Sequence, residues 1–146
     1  MTKAKGAENG MNVSSEQTGA GTSFDRYVSA AAFQENLSRQ ATLTPQSVAH
    51  LRQHGVTEQS WQKLLFYFYT DTMEKAVALA WVLRQKGYAV AHGPDPRKRY
   101  SFRISGWTTP LLMAEPIVVE WAKEMIQLGF EHDCQFDTWG TLPPQT

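Results

Sequence analysis

Residues 64–69 have the sequence Leu-Leu-Phe-Tyr-Phe-Tyr, and this segment constrains the fold more than any other part of the chain. A short run dense in aromatic residues is typical of a β-strand. Because side chains alternate along a strand, Phe66 and Phe68 lie on the same face, which we expect to point into the core. Tyr67 and Tyr69 are then expected on the outer face.

Residues 100–105 show the strictest alternation of apolar and polar side chains. Tyr100, Phe102 and Ile104 fall on one face of the predicted strand, and a polar set that includes Arg103 falls on the other. A half-buried strand of an antiparallel sheet has this pattern. The sequence therefore predicts that the three apolar residues face the core and that Arg103 faces outward.

A helix is predicted directly after the first strand. It begins at Asp71 or Thr72, and Asp71-x-x-Glu74 has the spacing of a capping box. Gly87 is expected to end it, because glycine is favoured just after a helix. The predicted apolar stripe consists of Met73, Ala76, Val77, Ala80, Trp81 and Leu83.

A second helix is predicted from about Pro116 to Gly129, with an apolar stripe made by Ile117, Trp121, Met125 and Leu128. Further strands are predicted at residues 88–92 and 134–136. The resulting order, β-α-β-β-α-β, predicts an α+β fold of the ferredoxin-like sandwich type. In that fold a four-stranded antiparallel sheet has both helices on one face and leaves the other face open.

The chain before this domain divides into two parts. Residues 1–24 have few large apolar side chains and cannot bury enough surface to offset their ordering entropy, so we expect a disordered polar tail. Residues 25–61 are predicted to be a helical extension of one or two short helices. Thr44 followed by Pro45 suggests the capped start of the second of these. The ferredoxin-like domain is then expected over residues 62–142.

Composition narrows the choice of partners and compartment. The chain has 14 basic and 14 acidic residues, so no general charge excess attracts it to nucleic acid. It has no apolar run long enough for a secretory signal or a membrane span. A lone cysteine, Cys134, is typical of a reducing compartment. We therefore expect a cytoplasmic protein without a membrane partner.

Few residues have the spacing of a catalytic or metal site. His50 and His54 are four apart and could share a helix face as metal ligands do, but no third ligand completes the set. His132, Asp133 and Cys134 are consecutive, and alternating side chains in an extended segment cannot form a nucleophile with its base. We expect Cys134 to be a small buried hydrophobe. The expectation is a protein that is not an enzyme, with no cofactor, no metal and no small-molecule substrate.

Three stretches carry a resemblance to a known family. They are Phe66-Tyr67-Phe68-Tyr69-Thr70-Asp71 leading into Glu74-Lys75-Ala76, then Leu83-x-x-x-Gly87-Tyr88-x-Val90, and finally Phe136-Asp137-x-Trp139-Gly140-Thr141. Over about residues 44–141 the chain resembles the regulator of ribonuclease activity B (RraB) family of bacterial ribonuclease E inhibitors. The resemblance implies a ferredoxin-like fold. It also implies a non-enzymatic inhibitor that binds the scaffold region of ribonuclease E, with no catalytic residues.

The predicted partner-binding residues lie on the open face or near strand ends: Tyr67, Tyr69, Arg103, Trp107, Asp137 and Trp139. Aromatic and arginine side chains dominate protein interfaces. Trp81 and Trp121, in contrast, are expected in the core.

The alternative function is a single-stranded RNA-binding module that uses the same face, because residues 98–104 partly match the aromatic signature of RNA-recognition domains. The match would require Arg103 to face the core, and this favours a protein partner, expected to be ribonuclease E or a similar ribonuclease.

Overall fold

The computed structural model describes residues 26–141, so the predicted tail at residues 1–24 lies outside the described residues. The described chain has a mixed α+β fold of three helices and two antiparallel sheets. The helices are α1 Ala30–Arg52, α2 Met73–Gln85 and α3 Glu115–Glu131. The strands are β1 Trp61–Gln62, β2 Leu65–Thr70, β3 Ala89–Pro94, β4 Phe102–Trp107, β5 Leu111–Leu112 and β6 Gln135–Gly140. None of the helices within residues 26–141 combines the length and the apolarity that crossing a bilayer requires.

The larger sheet has the strand order β3-β4-β2-β6, and every neighbouring pair is antiparallel. This confirms the predicted four-stranded antiparallel sheet. In β6, Thr138 pairs with Tyr67 and Phe136 pairs with Phe68, so Asp137 is the extra residue of a β-bulge. The short strands β1 and β5 pair with each other in a separate two-stranded sheet.

The core lies between the helices and one face of this sheet. Phe66 and Phe68 of β2 are fully buried, as the alternation predicts, and Ile104 of β4 is buried beside them. The helices bury Ala76, Leu79, Ala80 and Leu83 from α2 and Val118, Trp121, Ala122, Met125 and Ile126 from α3 against this face. The prediction that Trp121 belongs to the core is confirmed.

Helix α2 is capped by Thr72, one of its two predicted caps, and differs from its prediction along one side. Its N-cap is Thr72, whose hydroxyl accepts a hydrogen bond from the Lys75 backbone at 3.3 Å, so the predicted capping box at Asp71 is wrong. The helix ends as predicted, with Gly87 at a φ of 88°. The placement of Trp81 in the core is wrong, because its side chain is 61% exposed.

Helix α1 is one continuous helix, so the prediction that a second helix starts at Thr44 is wrong. Ser29 caps its first turn by accepting a hydrogen bond from the backbone N–H of Ala32. Thr44 lies inside the helix and is fully buried. Its hydroxyl donates to the Gln40 side chain at 3.1 Å, and Pro45 follows within the helix. α1 packs against α3 and adds Val48 to the common core.

Other boundaries also differ from prediction, including the ends of β3 and β6, which extend beyond residues 92 and 136. Tyr100 precedes β4 with a φ of 59° and is exposed, so its placement in the core is wrong; Ser101 is buried instead. Gly129 does not end α3, which continues for two residues. A Cβ at Gly129 would lie 2.7 Å from the Cys134 carbonyl oxygen, so glycine permits a close approach of the helix to the following chain.

The turn between α3 and β6 anchors the segment before α1. Asp133, at a φ of 56°, accepts hydrogen bonds from the backbone N–H groups of Tyr27 and Val28 at 2.9 and 2.8 Å. The same carboxylate binds the Lys75 Nζ of α2 at 2.7 Å. Asp133 therefore links the entry of α1, the start of α2 and the end of α3 at one point.

Candidate interaction surface on the open sheet face

The face of the large sheet opposite the helices carries the candidate site. We define the open face as the side chains of β2 and β4 that point away from the core: Leu65, Tyr67, Tyr69, Arg103, Ser105 and Trp107. All six side chains are half-buried. The open face follows from the parity that the sequence predicted for both strands.

The strand register sets the order of side chains on the open face. Tyr69 lies opposite Arg103, Tyr67 opposite Ser105, and Leu65 opposite Trp107. The guanidinium carbon of Arg103 lies 5.7 Å from the ring centroid of Tyr67, its diagonal neighbour. A cation over an aromatic ring at this distance is an attractive contact. Arg103 is therefore held on the sheet beside Tyr67.

A second arginine covers the far end of the open face. The guanidinium carbon of Arg97 lies 4.8 Å from the Tyr69 ring centroid. Asp95 orients it by accepting hydrogen bonds from the Arg97 backbone N–H at 3.0 Å and from its Nε at 3.4 Å. The backbone hydrogen bond in particular lowers the pKa of the Asp95 carboxyl below its usual range. Partial burial raises the pKa of the Tyr69 hydroxyl.

The loop beyond Arg97 adds a feature that the sequence prediction missed. Tyr100 is 84% exposed, and the guanidinium carbon of Arg99 lies 5.5 Å from its ring centroid. The strict alternation assigned Tyr100 to the core because the strand was predicted two residues too early. The run Asp95-Pro96, with its turn-forming residues, is the signal that could have placed this aromatic in a loop.

The six predicted partner-binding residues do not form one surface. Tyr67, Tyr69, Arg103 and Trp107 share the open face, and Asp137 in the β6 bulge is close enough to Tyr69 and Arg97 to interact electrostatically with both. The remaining residue, Trp139, pairs with Phe66 and points to the helix side. Its ring packs at 6.3 Å against Trp121, and its Nε1 donates to Thr44 at 3.2 Å. Trp139 therefore lies on the opposite side of the sheet from the four predicted partner-binding residues of the open face.

Other reactive groups of the described chain have ordinary structural partners. The rings of His50 and His54 lie 4.6 Å apart, and the His54 Nδ1 is 3.0 Å from the His50 carbonyl oxygen. Cys134 is buried, as predicted, and burial raises the pKa of its thiol to about 12. Among residues 26–141, no three histidine, cysteine or acidic side chains come close enough to hold a metal ion.

No protein-family model matches the chain, and no curated protein matches it significantly. The geometry of the open face is therefore the main support for a function.

Proposed function

We propose that this protein is a non-enzymatic regulator that binds a protein partner through the open face and thereby inhibits a ribonuclease E-like endoribonuclease. The resemblance to the RraB family motivates the choice of partner. The proposed target is the scaffold region of the ribonuclease. We also assign the larger sheet with α2 and α3 to the ferredoxin-like fold. The element order β2-α2-β3-β4-α3-β6 and the strand order β3-β4-β2-β6 support that assignment.

One observation carries the proposal: the open face presents arginines already held against tyrosines. Arg103 lies over the Tyr67 ring and Arg97 over the Tyr69 ring, and these contacts restrict the side chains. Binding normally loses the side-chain entropy of such residues, so restricted side chains reduce that loss. Tyrosine and arginine are also the residue types that contribute most to interface energy.

Single-stranded RNA binding is the second candidate, and one observation favours it. Three guanidinium groups lie within 5.7 Å of tyrosine ring centroids at this end of the sheet, and the exposed ring of Tyr100 could stack on a base. The Asp95 carboxylate opposes this function, because it neutralises one of the three arginines. The formal net charge of zero opposes it as well.

The two functions can be separated by measuring binding of the purified protein to the ribonuclease E scaffold segment and to single-stranded RNA at two salt concentrations. We expect a protein complex, which Tyr67→Ala or Arg103→Ala weakens by about thirtyfold. Arg39→Ala is the matched control, because Arg39 is an exposed arginine on α1. Inhibition of ribonuclease cleavage by the same variants should fall in parallel.

Affinity for RNA that falls steeply with salt, together with no detectable protein complex, would overturn the proposal in favour of the second candidate. A protein complex that both open-face variants leave unchanged would place the partner on another surface.

A further inference from the structure

The strand β3 forms an edge of the large sheet. Within residues 26–141 it pairs with β4 alone. The Arg84 Nη2 of α2 donates to the Val90 carbonyl at 2.9 Å, so this carbonyl points away from β4. In an antiparallel ladder every second residue points its N–H and C=O the same way. The backbone groups of His92 therefore also point outward.

The sequence of β3 does little to protect this edge. Proteins usually block exposed edges with charged side chains, prolines, bulges or a covering element. The six residues Ala89–Pro94 include no charged side chain, and the proline comes at the far end. Ala91 and His92 are both exposed. The middle of β3 is thus available for pairing with another strand.

An exposed apolar stripe on α2 runs beside this edge. Met73, Val77 and Trp81 are spaced four apart and are 40%, 46% and 61% exposed. Arg84 lies on the same side of the helix, three residues after Trp81. Because Arg84 reaches Val90, this side of α2 faces the β3 edge.

The opposite side of α2 and the lengths of the two elements support this orientation. Lys75 lies on that opposite side and binds Asp133, next to α3. The stripe from Met73 to Trp81 spans about 12 Å, and β3 spans about 17 Å. We define the β3-edge surface as the outward backbone of β3 together with Met73, Val77, Trp81, Glu74 and Arg84.

We propose that the β3-edge surface binds a second copy of this chain in a two-fold symmetric dimer. The two β3 strands pair antiparallel across the axis through the outward backbone groups of Val90 and His92. The Val90 carbonyl accepts this hydrogen bond as its second, beside the one from Arg84. This pairing joins the two large sheets into one eight-stranded sheet. It does not use the open face, so dimerisation goes beyond the proposed function.

The surface is complementary to itself in both apolar area and charge. A two-fold axis brings the two apolar stripes together, so Trp81 of each copy loses contact with water. The two α2 helices then run antiparallel, which places Glu74 of one copy near Arg84 of the other. Opposite charges meet on both sides of the axis, and an isologous contact of this kind closes without forming a fibre.

Sedimentation equilibrium over a wide range of protein concentration tests the dimer. Trp81→Glu should weaken self-association at least about thirtyfold, the effect of removing a central aromatic from an interface. Trp61→Glu is the matched control, because Trp61 is 63% exposed in the small β1–β5 sheet. Both positions are exposed, so circular dichroism should show an unchanged fold for each variant.

Two further variants test the pairing itself. His92→Pro removes an outward N–H that β4 does not use, and a proline is tolerated at such an edge position; it should weaken the dimer as Trp81→Glu does. Glu74→Arg and Arg84→Glu should each weaken association, and the double variant should recover it. A protein that stays monomeric at every concentration would overturn the proposal. So would a dimer that Trp81→Glu and His92→Pro leave intact.

Discussion

The two edges of the large sheet differ in how far side chains hydrogen-bond to the backbone of the edge strand. At the β6 edge, the side-chain amide of Asn36 on α1 donates to the Phe136 carbonyl at 2.8 Å, and that of Gln40 donates to the Asp137 carbonyl at 3.3 Å. A helix thus covers this edge and satisfies its backbone. At the β3 edge, Arg84 alone among the described hydrogen-bonding side chains reaches the strand backbone.

The comparison shows how a helix can cover a strand edge. The backbone of a helix is already hydrogen-bonded internally, so only its side chains can satisfy the edge of a strand. Asn36, Gln40 and Thr44 repeat every four residues and are buried, so they form a polar stripe on the side of α1 that faces β6. We infer that α1 is fixed by polar contacts in addition to apolar packing.

The largest expected effect concerns the anchor of α1 at the covered edge. Asp133→Ala removes the acceptor of two backbone N–H groups and one partner of Lys75, so the free energy of unfolding should fall by about 3 kcal/mol. Urea denaturation measures this quantity. The control is Asp71→Ala: Asp71 contacts the same Lys75 Nζ at 2.7 Å, but its side chain is 40% exposed. Asp71→Ala should lower the free energy of unfolding by less than about 1 kcal/mol. Equal losses would mean that Asp133 is not an anchor.

A smaller effect is expected for alanine at two glycines, one near each edge. Gly129→Ala forces a Cβ against the Cys134 carbonyl oxygen at 2.7 Å, next to the covered edge. Overpacking should outweigh the better helix propensity of alanine and lower the free energy of unfolding by about 2 kcal/mol. At Gly93, in β3, a Cβ meets nothing within 4 Å. Gly93→Ala should therefore change stability by less than about 0.5 kcal/mol. The interpretation fails if the order of the two effects is reversed.

The smallest effect tests the side-chain cover itself. Asn36→Ala leaves the Phe136 carbonyl without its amide donor and should cost about 1 kcal/mol of unfolding free energy. Hydrogen exchange should become faster for the β6 amides while the amides of β3 keep their rates, because the change affects one edge only. The matched control is Glu35→Ala, an exposed neighbour on the same helix. Unchanged β6 exchange rates would show that apolar packing alone holds α1 in place.

Periodicity predicted the parts of this fold that follow a simple alternation. The burial of Phe66 and Phe68 and the outward position of Arg103 both follow from a period of two. Tyr100 was misplaced because the same alternation extends past the true start of β4, where the backbone turns to a φ of 59°. A pattern of residue types cannot locate that turn.

The error at Thr44 has a different physical origin. Threonine before proline is a good helix start locally, and tertiary contacts override that preference here. The Thr44 hydroxyl accepts a hydrogen bond from the Trp139 Nε1–H and donates one to the Gln40 side chain. Its hydrogen-bonding capacity is therefore used within a continuous helix. Trp139 lies 95 residues away in sequence, and no local pattern reports such a partner. The open-face residues on β2 and β4 could therefore be predicted from the sequence. The position of Trp139, which depends on a contact between β6 and α1, could not.

The cover of β6 by α1 also has a consequence for synthesis of the chain. Asn36 binds a carbonyl 100 residues later, in the last strand of the described chain. Helix α1 therefore leaves the ribosome long before β6, the strand edge that its polar stripe covers. Because non-local contacts form late, we infer that the domain completes its folding only after Gly140 has been released. Until then the buried polar stripe of α1 remains in contact with water.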